Sequence, residues 1–304
     1  METIQTTLFQ GMPCIELALP RGDRLRIALH GAQVLSWVPA DGVERLYLSP
    51  RARFDGTSAI RGGVPICFPQ FNERALGAVP LPKHGFARTQ PWTVREVDQT
   101  DELATATFEL TQNLETLLVW PYQFSAVCTI ELEADSLNIE FAVRNNSDLT
   151  WPFAIALHTY LRVDDISRTE VHGLKGVPYW DAVQHRSQPE LKQTQQDEAL
   201  RFASETDRVY SRIKAPVLLS HTAGAVRVSQ SPNFPEMVVW NPGAVQCAAI
   251  ADMPPDGFKH MLCIEAARIS TPQILLPGDA WRGWQALRAL PPVPRSSGFV
   301  PITE

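Results

Sequence analysis

With 304 residues, 44% hydrophobic and 20% charged, the chain is long enough for a full core in one large domain or two ordinary ones. Its net charge of −6, from 27 basic and 33 acidic residues with no basic stripe, argues against nucleic acid as a partner. No run reaches the roughly 18 apolar residues that span a bilayer, and Met-Glu-Thr-Ile-Gln is no secretory leader, so a cytoplasmic protein with no membrane partner is expected.

The first predicted strands cover 14–19, 25–30 and 34–38, where alternating or β-branched apolar residues lie between Gly, Pro and Asp breaks. Strands follow at 104–110, 124–132 and 137–144, the last two joined by a hairpin at Ala134-Asp135-Ser136. The second half repeats the pattern at 153–157, 217–220, 225–229, 237–240, 262–265 and 281–290. One short or irregular helix is predicted around 198–203, and a loose tail begins at 291. The 25 prolines and 17 glycines are spread through the length, with no repeat and no composition break. The expectation is a single all-β domain over 1–290, a large twisted antiparallel β-sandwich.

Five cysteines, an odd number, are widely spaced among apolar neighbours, as reduced core residues are. No pair of the seven histidines has i,i+2 or i,i+4 spacing, so no metal site is predicted, and nucleotide-binding and hydrolase motifs are absent.

Chemistry concentrates in two glycine- and proline-punctuated blocks, Ile60-Arg61-Gly62-Gly63-Val64-Pro65-Ile66-Cys67-Phe68-Pro69 and Lys83-His84-Gly85-Phe86-Ala87-Arg88. Cations among apolar residues call for an anionic partner, and a guanidinium suits phosphate or carboxylate. The blocks are either an anion site with an imidazole beside it or a loop paired with the protein's own carboxylates. His158 ends the apolar run 153–157; such a histidine is a satisfied core group or a proton carrier. Glu265 interrupts an apolar strand, and is either ion-paired or held for a reaction. Asp207 follows a polar turn and reads as a cap or a hydroxyl-binding carboxylate. Most of the eight tryptophans read as core, with one or two available to floor a sugar site.

Together with Ala156-Leu157-His158-Thr159-Tyr160, Glu205-Thr206-Asp207-Arg208-Val209-Tyr210 and Cys263-Ile264-Glu265, the two blocks resemble, in order, the hexose-6-phosphate mutarotases of the aldose 1-epimerase family. The resemblance implies a galactose mutarotase-like supersandwich that needs no cofactor or metal and acts as a monomer on a small sugar phosphate. By position, His158 is then the catalytic acid and Glu265 the base. His84 helps hold the ring oxygen or nearby hydroxyls, Arg61 and Arg88 bind the phosphate, and Asp207 binds sugar hydroxyls. Lys83 stands where the family pattern has glutamine, within the substrate-binding set. Two other readings remain: an aldose 1-epimerase for free sugars, and a non-catalytic carbohydrate-binding or sensor protein.

Overall fold

Alternation builds the largest sheet. In Leu103–Thr111, Phe124–Glu133 and Ser136–Asn145 every second side chain is fully buried, as strands with one face on the core require. The computed structural model, which describes residues 4–73, 80–222 and 224–291, joins these strands in one nine-stranded antiparallel sheet. The hairpin falls where predicted: Glu133 pairs with Ser136 across a turn in which Asp135 takes φ 56°.

An eight-stranded sheet supplies the second layer and a four-stranded N-terminal sheet caps the pair. One apolar cluster joins all three, with Trp37 from the small sheet, Phe141 from the largest, and Phe153 and Ile264 from the middle one. Phe68 packs against the rings of Phe86, Trp120, Phe124, Phe141 and Phe153 at 5.2–6.2 Å. The expected all-β antiparallel sandwich is thus the observed fold.

Two strands at the middle of the eight-stranded sheet, Trp151–Leu157 and Met261–Leu275, are buried on both faces over much of their length. Along the second, Leu262, Ile264 and Ala266 enter the large core, while Cys263 and Ala267 belong to clusters on the opposite face. Glu265 shares that opposite face by strand alternation.

Some expectations fail locally. The segment predicted as a short helix around 198–203 contains the strand Ala199–Arg201, paired with Glu170–His172. Ala199 and Leu200 are buried there, and edge pairing satisfies backbone groups that one irregular turn would leave open. Two short helices were not foreseen: Leu114–Val119, opened by a capping box at Asn113, and Gly243–Ala249. The predicted tail lies, from 292 onward, outside the described residues. Among the described residues no helix is long and apolar enough to cross a membrane.

Candidate active site

Glycines let the two cationic blocks dock backbone to backbone. Gly63 has φ 60°, and a Cβ there would lie 2.0 Å from the Val34 carbonyl oxygen; at Gly85, φ 70°, it would lie 2.1 Å from that of Phe68. Buried glutamines then hold the loops. The Gln33 amide donates to the carbonyls of Ile60 and Gly62, on either side of Arg61. Gln70 donates to those of Asn72, Leu81 and Pro82, beside His84.

His158 follows Trp151–Leu157 directly, and its backbone N–H donates to Pro65 O at 2.9 Å. Thr159 O accepts from Ile264 N–H at 3.1 Å, which sets this corner beside Met261–Leu275. His158 Nε2 lies 3.3 Å from Glu265 Oε1, with Glu265 only 1% exposed. Glu265 Oε2 and His158 Nδ1 are buried without a hydrogen-bond partner in the protein. Burial, then the nearby Asp207 charge, pushes the Glu265 carboxyl well above its usual range. Burial, then Arg88 and Arg61, pushes the His158 imidazole well below its own. Burial thus opposes the charged form of both partners.

Rings surround the imidazole. Tyr160 stacks on it at 4.8 Å and 15°, His84 meets it edge-on at 5.5 Å, and Trp240 does so at 5.9 Å. His84 itself has φ 64°, and its Nδ1 accepts the Asn72 N–H at 3.2 Å, leaving Nε2–H as the donor of the neutral ring. Burial and the surrounding cations hold His84 far below the usual histidine range.

Arg61 donates to Tyr160 Oη at 3.0 Å and to Asp252 Oδ1 at 3.1 Å. Arg88 donates to the Lys83 carbonyl at 2.7 Å, while its Nε is buried without a partner. These two arginines, Lys83 and Arg53 line a cavity of about 510 Å³ together with one carboxylate, Asp252. Among the described residues, the alternative of a loop paired with internal acids is met for Arg61 alone, and there by the single contact with Asp252.

Asp207 is not a turn cap. It lies in the strand Thr206–Ser211, paired with Trp240, which is paired in turn with Cys263. Strand pairing brings its carboxylate to the face that carries Glu265. Burial and Glu205 raise its pKa to about 6.

All seven singled-out residues thus gather on one side of the eight-stranded sheet and its flanking loops. Sequence reasoning missed Asp252, Arg53 and the two glutamine clamps. It left Tyr160 without a role although the residue stands in a quoted block. His158, Cys263 and Glu265 also offer three buried donor atoms within 4.8 Å of one another, a set that fits a thiophilic divalent ion. Such an ion would have to displace the Cys263 proton, which burial holds well above the usual thiol range. All five cysteines are buried and unpaired.

The sandwich, with its buried histidine–carboxylate contact and cationic cavity, has the fold of the mutarotase-type isomerases. Residues 13–288 match the family model described as Aldose 1-epimerase. The chain is 34% identical over 289 residues to a "Putative glucose-6-phosphate 1-epimerase" of Cenchrus ciliaris, covering 91% of this chain and 85% of that protein. It is 36% identical over 255 residues to a protein of the same name from Escherichia coli K12, covering 81% and 80%. The crystal structure of a "putative mutarotase" from Salmonella typhimurium superposes with a TM-score of 0.84 at 30% identity, covering 94% of this chain and 93% of the other. Galactose 1-epimerase from Lactobacillus acidophilus, 14% identical, shares the fold at a TM-score of 0.71 over 96% of this chain and all of the other. The chain belongs to the aldose 1-epimerase family, and it is an isomerase.

Proposed function

We propose that this isomerase interconverts the α and β anomers of a hexose 6-phosphate, with D-glucose 6-phosphate as the first candidate. The observation that carries the reading is the buried His158–Glu265 contact of 3.3 Å beside a cavity lined by Arg53, Arg61, Lys83 and Arg88. In the productive state Glu265 is ionised and His158 protonated. Glu265 takes the proton from the anomeric hydroxyl while His158 gives one to the ring oxygen, and the bond between C1 and that oxygen breaks. The aldehyde turns about its C1–C2 bond. The ring then recloses on the other face of C1 as His158 recovers its proton from the attacking hydroxyl and Glu265 returns its own.

The remaining residues position the sugar. His84 Nε2–H donates to the ring oxygen or a neighbouring hydroxyl, Asp207 accepts sugar hydroxyls, and Trp240 offers its face to the pyranose. Arg61 and Arg88 bind the phosphate, with Lys83 adding positive potential. One chain supplies every group, so a monomer suffices, and buried reduced thiols with a phosphorylated substrate suit the cytoplasm.

A free-sugar epimerase would leave two guanidiniums facing a neutral hydroxymethyl group, and a sensor would have no use for a proton donor and a proton acceptor converging on one carbon. The test is kcat/KM for anomer interconversion of glucose 6-phosphate and of glucose in wild type, Arg61→Ala and Arg88→Ala. Each charged hydrogen bond contributes about 1.5–3 kcal/mol, so the preference for phosphosugar is expected to fall roughly 10–100-fold in either variant. An equal loss on both substrates would assign the arginines to structure.

A further inference from the structure

Tyr160 touches both halves of the site. It opens the strand Tyr160–Arg162, pairs with Cys263 and is 2% exposed. Its hydroxyl accepts from Arg61 Nη1 at 3.0 Å. Its ring lies over the His158 imidazole, with the centroids 4.8 Å and the planes 15° apart. The backbone fixes the residue from two directions. Its N–H donates to the carbonyl of Gly63, close to Arg61 in the same loop, at 2.9 Å, and its carbonyl accepts from Tyr47 N–H at 2.9 Å. Packing against Tyr47, Met261 and Cys263 would suit a phenylalanine equally well, so a buried hydroxyl bonded to Arg61 calls for a separate account.

We propose that Tyr160 is a positioning residue for both halves of the reaction, its hydroxyl setting the Arg61 guanidinium for phosphate and its ring setting the plane of the His158 imidazole. The inference rests on the phosphosugar reading above and adds a specificity-determining residue to it.

Arginine is long and rotamer-rich, and a ligand that has to immobilise it loses affinity. Asp252 holds Arg61 Nε at 3.1 Å and Tyr160 holds Nη1, so the fork is ordered before phosphate arrives and Nη2 is left for its oxygens. Ordering one such side chain in advance is a factor of about 3–10 in binding. On the other side of Tyr160, His158 Nδ1 has no hydrogen-bond partner among the described residues, so no bond behind the ring fixes its orientation. Packing does so instead. Tyr160 is nearer to the imidazole and more nearly parallel to it than Phe71, at 6.4 Å and 27°, while His84 and Trp240 meet it edge-on. A misplacement of about 1 Å in a reacting group costs up to about 100-fold in rate. The hydroxyl therefore acts on KM for phosphosugar, and the ring acts on kcat for any sugar.

The experiment measures anomer interconversion of glucose 6-phosphate and of glucose, per folded molecule. It compares wild type, Arg61→Ala, Tyr160→Phe, Tyr160→Leu and the double variant of Arg61→Ala with Tyr160→Phe. Tyr160→Phe keeps the ring, so KM for glucose 6-phosphate is expected to rise about 3–10-fold at nearly constant kcat, and the preference over glucose to fall by the same factor. In the double variant the loss equals that of Arg61→Ala alone, because the hydroxyl acts only through Arg61. Tyr160→Leu lacks the ring and is expected to lower kcat about tenfold or more on both substrates, a loss that Tyr160→Phe does not share. Proportional losses on both substrates in Tyr160→Phe overturn the proposal, as does a loss that adds to that of Arg61→Ala. Wild-type kcat in folded Tyr160→Leu overturns it too. Should Tyr160→Leu not fold, Tyr160→Phe and the double variant, which keep the packed ring, decide. A preference for glucose 6-phosphate that Tyr160→Phe leaves intact removes only this inference. Equal use of glucose and glucose 6-phosphate by wild type removes the phosphosugar reading itself.

Discussion

The two faces of the strand Met261–Leu275 are chemically opposite although they alternate residue by residue. Leu262, Ile264 and Ala266 point into the common core and are fully buried. Cys263 and Glu265 are buried to the same degree, yet they lie on the face that carries His158, Tyr160 and Trp240, where Glu265 Oε2 and His158 Nδ1 have no hydrogen-bond partner. Burial alone therefore does not distinguish core from site. The distinguishing feature is ionisable chemistry: Gln33, Gln70 and Gln285 place neutral amide N–H groups on backbone carbonyls, while Glu265 and His158 are buried titratable groups that face each other at 3.3 Å.

The comparison is broken hardest by removing proton transfer on the site face. His158→Asn and Glu265→Gln are each expected to lower mutarotation about 10²–10⁴-fold while the fold persists. Glu265→Gln carries a pH signature besides. Its carboxyl is raised above the ordinary value of 4.5, so the stability of its protonated form is present below that pH and lost as pH rises towards the folded value. The amide keeps its neutral form throughout, so the melting temperature of Glu265→Gln should gain on wild type with rising pH. Wild-type turnover in either variant, or a stability gap that widens in acid, would sink the assignment.

One residue away, the opposite face should give the reverse outcome. Ile264→Ala removes a buried core side chain, and such truncations cost about 2–5 kcal/mol in stability. Denaturant titration should register that loss, while kcat per folded molecule stays within a few-fold of wild type. A collapse of kcat in well-folded Ile264→Ala would mean that the faces are not separable.

The sequence makes this contrast half visible. Alternation and β-branched runs mark most long strands, and Glu265 stands out because it interrupts an apolar run. The short strands Pro178–Asp181, Lys192–Thr194 and Thr206–Ser211 leave too few residues for a period to show. Ala199–Arg201 reads as a poor helix because its pairing partner lies about 30 positions earlier in the chain. Gln33 and Gln70 look like surface glutamines until the loops they hold are folded over them. Asp252 reaches Arg61 across 191 positions, a separation at which spacing carries no information.

A gentler probe of the site face is Asp207, whose carboxyl titrates near pH 6. Only the ionised form accepts from two sugar hydroxyls, so KM should rise as pH falls below about 6. Free glucose is the substrate to use, because it has no titrating phosphate of its own. Loss of a charged hydrogen bond predicts about a tenfold higher KM in Asp207→Asn and a flat pH dependence over this range. A variant that keeps the wild-type pH profile would place the titration elsewhere.

The smallest effect is expected at the rim. Lys83 is exposed, and Lys83→Gln tests whether its charge matters at all. The substitution leaves the backbone carbonyl that accepts from Arg88 in place, so Arg88 keeps its anchor. What changes is one flexible ammonium near the cavity mouth, acting through solvent rather than through directed donors. Screening over about 8 Å at physiological salt limits that action. KM for glucose 6-phosphate should rise about two- to threefold at low ionic strength, with the difference vanishing at high salt and kcat nearly constant. A loss of tenfold or more that persists in salt would instead make Lys83 a direct phosphate ligand, equal in rank to Arg61 and Arg88, and would extend the site face out to the solvent-facing loop.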